Sequence, residues 1–109
     1  MRISQDRDLF RGSHISGPTH NYLGLKLNVH GEPQFKVTVL PPIGECRHHV
    51  DLLGDEVRQW ISEGVNRANH ELGTDYRVAY AEIVENDSRR PEVYMELARR
   101  IVMAAHELR

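Results

Sequence analysis

Apolar and polar positions alternate twice in the first half of the chain. In "YLGLKLNVH" Leu23, Leu25, Leu27 and Val29 alternate with Gly24, Lys26 and Asn28, and in "QFKVTVLPP" Phe35, Val37 and Val39 alternate with Lys36 and Thr38. Period two sends successive side chains to opposite faces of a strand, so the pattern predicts strands over 22–30 and 34–40. Between them "HGEP" supplies a flexible Gly31 and a φ-locked Pro33, which suit a short connection and predict an antiparallel β-hairpin. Pro41 and Pro42 end the second strand. One face of this hairpin is aliphatic and the other carries Tyr22, Lys26, Asn28, Lys36 and Thr38. Such a sheet is expected to have one covered face and one turned toward water or a partner.

After Asp51 the rhythm changes. Val57, Trp60, Ile61, Gly64, Val65, Ala68 and Leu72 recur three or four apart, which is the stripe of an amphipathic helix over 52–72. Asp55 and Glu56 suit the positive end of its dipole, and Gly73 stands where a left-handed cap residue is expected. Gly64 costs about 1 kcal/mol relative to alanine in a helix interior, which implies close backbone approach, here expected to the sheet beneath. "DYRVAYAEIVEND" returns to period two over 76–84, with Tyr76, Val78 and Tyr80 on one face and Ala79, Ala81 and Ile83 on the other. Two apolar faces suggest a central strand. A second helix is predicted over 90–107. Its inner stripe is Tyr94, Leu97, Ala98, Ile101, Ala105 and Leu108, widened by Val93, Val102 and Met103; Asp87 or Ser88 can cap it and Pro91 fits its first turn.

With a possible short strand at 46–50, the order is β-β-(β)-α-β-α. The fold class expected is α+β: a two-layer sandwich in which a mostly antiparallel sheet of three to four strands carries two helices on one face. Residues 1–109 form one domain in this reading, with residues 1–20 a loop-rich N-terminal arm.

Composition narrows the class further. Of 109 residues, 39% are hydrophobic and 28% charged, a globular balance, and no apolar run is long enough for a transmembrane helix. "MRISQDRDLFRG" has no apolar stretch behind a basic start, and the lone Cys46 cannot form an internal disulfide. A soluble, cytoplasmic protein without a membrane partner is expected. The net charge is −2 and no Lys/Arg block exceeds a pair, so the whole-molecule field gives no reason to expect nonspecific binding to nucleic acid.

The densest chemistry is "ECRHHVD", residues 45–51, in a chain with seven histidines. Were it extended, Cys46 and His48 would point one way and His49 and Asp51 the other, so no more than two ligands would share a face. A structural zinc needs four, and the second pair would have to be His14 and His20 of "SHISGPTH", a spacing that matches no familiar zinc pattern. No metal and no cofactor are expected. His49 with Asp51 could form an oriented acid–base pair near Ser13, Ser16 or Thr19, but no nucleophile elbow, P-loop, dinucleotide fingerprint or H-E-x-x-H helix is present, and no catalytic residue is assigned. If the two segments meet, His14 or His20 joins His48, His49 and Asp51 in a polar pocket for a small anion. In "NDSRRPE" Arg89 and Arg90 stand at the mouth of the second helix, where an anion would resolve their conflict with the dipole; alternatively both extend into water or pair with Asp87 and Glu92.

In outline the stretch 22–108, and above all Gly73 to Ala105, resembles the fourth domain of elongation factor G and related two-layer domains, in which a sheet precedes a helix, a strand and a second helix. "PPIGE" and "RRPEV" stand where that domain's Gly-Gly and Ser-Ser-Glu signatures would be sought. The resemblance implies a fold and, more remotely, binding of RNA or the ribosome. Three functions follow as expectations. The first is a noncatalytic module that binds a protein partner, or its own copy, through the open sheet face or the N-terminal arm. The second is a small enzyme or metal-binding protein using the histidines of 14–20 and 46–51. The third is an RNA- or ribosome-binding domain.

Overall fold

The computed structural model describes residues 1–16, 19–28, 35–40, 54–84 and 90–108. In chain order the elements are β1 (Arg2–Asp6), β2 (Leu9–Ser16), β3 (Thr19–Asn28), β4 (Lys36–Leu40), α1 (Gly54–Leu72), β5 (Arg77–Val84) and α2 (Pro91–Glu107). The strands form one sheet in the order β1-β2-β3-β5-β4, antiparallel except for the parallel pair β4–β5. This is an α+β fold with two layers, and the helices lie where the 3.6-residue rhythm predicts them.

Both helices cover the same face. α1 packs over β4 and β5, α2 over β1, β2 and β3, and the two pack on each other. Alternation assigns the covered face: Leu23, Leu25, Ala81 and Ile83 are fully buried beneath the helices with Phe10 and Val78. Val57, Ile61, Val65 and Ala68 of α1, with Tyr94, Leu97, Ala98, Ile101 and Val102 of α2, fill the space above them. Trp60 is only partly buried and stacks on Tyr94, with ring centroids 5.8 Å apart.

Several expectations change. Strands 22–30 and 34–40 do not form a hairpin: β5 lies between β3 and β4, so β4 is a parallel edge strand. The N-terminal residues are not a loop-rich arm. β1 and β2 pair through the turn at Arg7 and Asp8, and β2 pairs with β3 from Leu9↔Lys26 to Ser16↔Thr19. Arg7 adopts a left-handed φ of 57°, a conformation usually left to glycine or asparagine, so "RD" gives no hairpin signal in the sequence. The faces of β5 also divide differently. Leu25 pairs with Ala81 but Leu27 with Val78, so Ala79 is an extra residue, and this bulge puts Val78 on the same face as Ala81 and Ile83.

Gly64 does approach another backbone closely, but that of α2 rather than the sheet: a Cβ there would lie 2.2 Å from the Met95 carbonyl oxygen. Arg90 is the N-cap residue of α2, and Pro91 opens the helix as expected. Leu108 follows the helix and is 65% exposed instead of extending the inner stripe. The possible strand at 46–50, Asp87 and Ser88 lie outside the described residues. Among the described residues no helix is long and apolar enough to cross a membrane.

Candidate functional site: the uncovered face of the sheet

With both helices on one side, the opposite face of the five strands has no second layer among the described residues. Cross-strand register builds its centre. Gly24 on β3 stands between Arg11 on β2 and Glu82 on β5, and one pair along, Lys26 stands between Leu9 and Tyr80. Tyr22 pairs with Ser13 at the other side.

Gly24 is what lets this centre form. A Cβ at that position would meet Glu82 Cγ at 2.6 Å and Oε1 at 2.7 Å, so the glutamate side chain reclines over the glycine. The Tyr22 hydroxyl lies 3.0 Å from the same point. Because Tyr22 and Gly24 are two residues apart on one strand, the Tyr22 ring must run along β3 and lie over the sheet instead of standing up from it. Its hydroxyl donates to Glu82 Oε1 at 2.6 Å, and the Tyr80 hydroxyl donates to Oε2 at 3.2 Å. One carboxylate is therefore held by two phenols.

Cations flank the trio. Arg11 lies near enough to Tyr22 for its charge to act on the phenol. The Lys26 Nζ lies 5.4 Å from the Tyr80 ring centroid, within cation–π range. Arg11 also faces Asp6 at 3.4 Å and Lys26 faces Asp8 at 3.9 Å, all four side chains well exposed. Exposed pairs of this kind contribute little stability, so both cations can exchange partners at small cost. Burial, then the hydrogen bond and negative charge of Glu82, push the Tyr22 hydroxyl well above its ordinary pKa, with Arg11 opposing. Tyr22 thus stays a neutral phenol at physiological pH. It acts there as a donor and as a flat aromatic surface, not as a base.

Of the candidate site residues singled out from sequence, His14, His20 and Arg90 are described. His14 pairs with Asn21, which is 1% exposed on the helix-covered side, whereas His20 pairs with Ile15 on the uncovered side. The two histidines of "SHISGPTH" occupy opposite faces of one hairpin, so they cannot line a single pocket. Arg90 caps α2 through its backbone: its carbonyl accepts from the Val93 and Tyr94 N–H groups at 3.0 and 3.3 Å. His48, His49, Asp51 and Arg89 lie outside the described residues. Among the described residues no three His, Cys, Asp or Glu side chains gather as metal ligands would.

Sequence reasoning placed Tyr22 and Lys26 on the open face but missed Arg11, Tyr80 and Glu82. Two signals were there: Gly24 inside a strand, which marks close approach of a neighbour, and Glu82 between Ala81 and Ile83 in an otherwise apolar strand. No family model, curated protein or solved structure matches the chain.

Proposed function

We propose that this chain is a noncatalytic binding module that engages its partner through the uncovered face of the sheet. The observation that carries the reading is the Tyr22–Glu82–Tyr80 trio, preorganised by hydrogen bonds and flanked by Arg11 and Lys26. A carboxylate and two tyrosines locked across neighbouring strands offer rigid donors, acceptors and ring faces, and rigid aromatic groups lose little entropy on binding. Ile15, 76% exposed at the end of the same face, extends the surface with an apolar contact.

The enzyme and metal reading has less support. A four-ligand metal site would need His14 and His20 as one pair, and they occupy opposite faces.

Site-directed photocrosslinking tests the proposal. A photoreactive phenylalanine analogue is introduced in place of Arg11, in place of Lys26, and in place of Arg67 on the exposed side of α1. Adducts are expected from positions 11 and 26 and not from 67, with a doubled chain mass if the partner is a second copy. Equal adducts from position 67, or none from 11 and 26 in cells producing the chain, would overturn it.

A further inference from the structure

The geometry points to single-stranded nucleic acid as the partner of the uncovered face, an inference that rests on the binding-face reading above and names its ligand. Charge is the first reason. The net charge of −2 conceals a polarised molecule. The two helices hold seven acidic side chains (Asp55, Glu56, Glu63, Glu71, Glu92, Glu96 and Glu107) against four arginines. The five strands hold five basic residues against Asp6 and Glu82, with Asp8 and Asp75 at strand ends pairing with Lys26 and Arg77. The excess acid sits in the layer that covers one face, and the excess base in the sheet whose other face is open. An anionic partner is attracted to the sheet and repelled from the helices.

Aromatic geometry is the second reason, and it separates a nucleic acid from an acidic peptide. Tyr22 lies along its strand with its hydroxyl tethered to Glu82, which holds the ring in place over the open face. Tyr80, tethered to the other oxygen of the same carboxylate, carries Lys26 at its ring. Bases stack on such rings whatever their identity, because each base has a π face. Arg11, in the row of Gly24 and Glu82, and Lys26, in the next row beside Tyr80, form exposed ion pairs with Asp6 and Asp8 that exchange at small cost, so both can turn to the phosphates of a backbone crossing the strands. Glu82 accepts hydrogen bonds and repels phosphate, so it favours base amino groups over the backbone at the centre. A peptide of acidic side chains would meet the same Glu82 and the same two cations but has no base to stack on the tyrosine rings.

The test is fluorescence anisotropy of the full chain with a short, labelled, mixed-sequence single-stranded RNA, the same strand annealed to its complement, and labelled polyglutamate. The single strand is expected to bind in a salt-dependent manner, more tightly than the duplex or polyglutamate. Tyr22→Ala and Tyr80→Ala are each expected to weaken it about five- to hundredfold. Tyr22→Phe, which keeps the ring, should retain most of the affinity. Arg11→Gln should lower the salt slope by about 0.7, the value of one phosphate contact on a single strand. Arg67→Gln, paired with Glu63 on α1, should change neither. Circular dichroism establishes that each variant is folded. Absence of single-strand binding at low salt, equal binding of polyglutamate, or indifference to both tyrosine substitutions in folded variants would overturn the inference. If these occur while position 11 still crosslinks to a protein, the nucleic-acid partner falls and the binding face stands; if crosslinking fails too, both fall.

Discussion

Substituting alanine for Gly64 sets two effects of opposite sign against each other. In a helix interior alanine is favoured over glycine by about 1 kcal/mol, so propensity alone predicts a more stable protein. The packing predicts the reverse. The added Cβ would lie 2.2 Å from the Met95 carbonyl oxygen and 2.9 Å from both its carbonyl carbon and the Ala98 Cβ, where ordinary contact begins at 3.4 Å. A helix carbonyl cannot rotate aside, so α1 and α2 must part by roughly 1 Å, a gap that forfeits a quarter to a half of each dispersion contact across it. The loosened contacts include Trp60 on Tyr94 and the fully buried Ile61, Leu97 and Ile101. Overpacking usually costs about 1–3 kcal/mol, and an immovable backbone atom puts this case at or above the upper end. After the propensity gain, Gly64→Ala should destabilise by about 2–3 kcal/mol. In a urea titration the midpoint should fall by about 1 M or more with an unchanged slope. A neutral variant, or one stabilised by about 1 kcal/mol, would refute the close helix crossing.

Other perturbations probe the core and the open face. Ile61→Ala should cost about 2–5 kcal/mol by leaving a cavity, and the exposed Asn66→Ala should stay within about 0.5 kcal/mol; equal effects on denaturation would mean that α1 is turned the wrong way. Gly73→Ala should cost about 1–2 kcal/mol through its φ of 66° alone, since no atom lies within 4 Å of the added methyl, and urea unfolding reads the difference. Tyr22 holds its proton more tightly folded than unfolded, so its contribution to stability is complete below the ordinary tyrosine value of about 10 and is lost as pH rises above it. Stability measured against pH should therefore fall more steeply above about 10 in the native chain than in Tyr22→Phe, and identical profiles would contradict the Tyr22–Glu82 bond. Gly24→Ala should leave stability within about 1 kcal/mol, because the group displaced is the flexible end of Glu82, yet bring tyrosinate absorbance at Tyr22 to lower pH.

How far the fold was legible depended on how much apolar surface each segment buries. α1 and α2 lie on continuous core, and their stripes carried the signal: Val57, Ile61, Val65 and Ala68, then Tyr94, Leu97, Ile101 and Ala105. β3 announced itself through Leu23 and Leu25 for the same reason. β1 and β2 lie toward the edge of the helix layer, where the positions on the helix side include Gly12, His14 and the exposed Gln5 as well as Ile3 and Phe10, so the apolar alternation disappears. The pairing of β5 between β3 and β4 is a long-range choice that no local pattern encodes, and its bulge at Ala79 scrambles the period that would have assigned its faces. Candidate chemistry was sought in the sequence by residue type. Histidines draw the eye as ligands, but strand alternation separates His14 from His20, whereas the open-face cluster draws on β2, β3 and β5 and becomes visible only when their register is known.

The most direct measurement of the open-face reading is a map of amide chemical shifts in the labelled chain as single-stranded RNA is added. Binding through the uncovered face predicts saturable shifts at Arg11, Tyr22, Gly24, Lys26, Tyr80 and Glu82, with the exposed side of α1 around Glu63 and Arg67 unmoved. Shifts confined to the helices, or none at the sheet centre while RNA is bound, would contradict it.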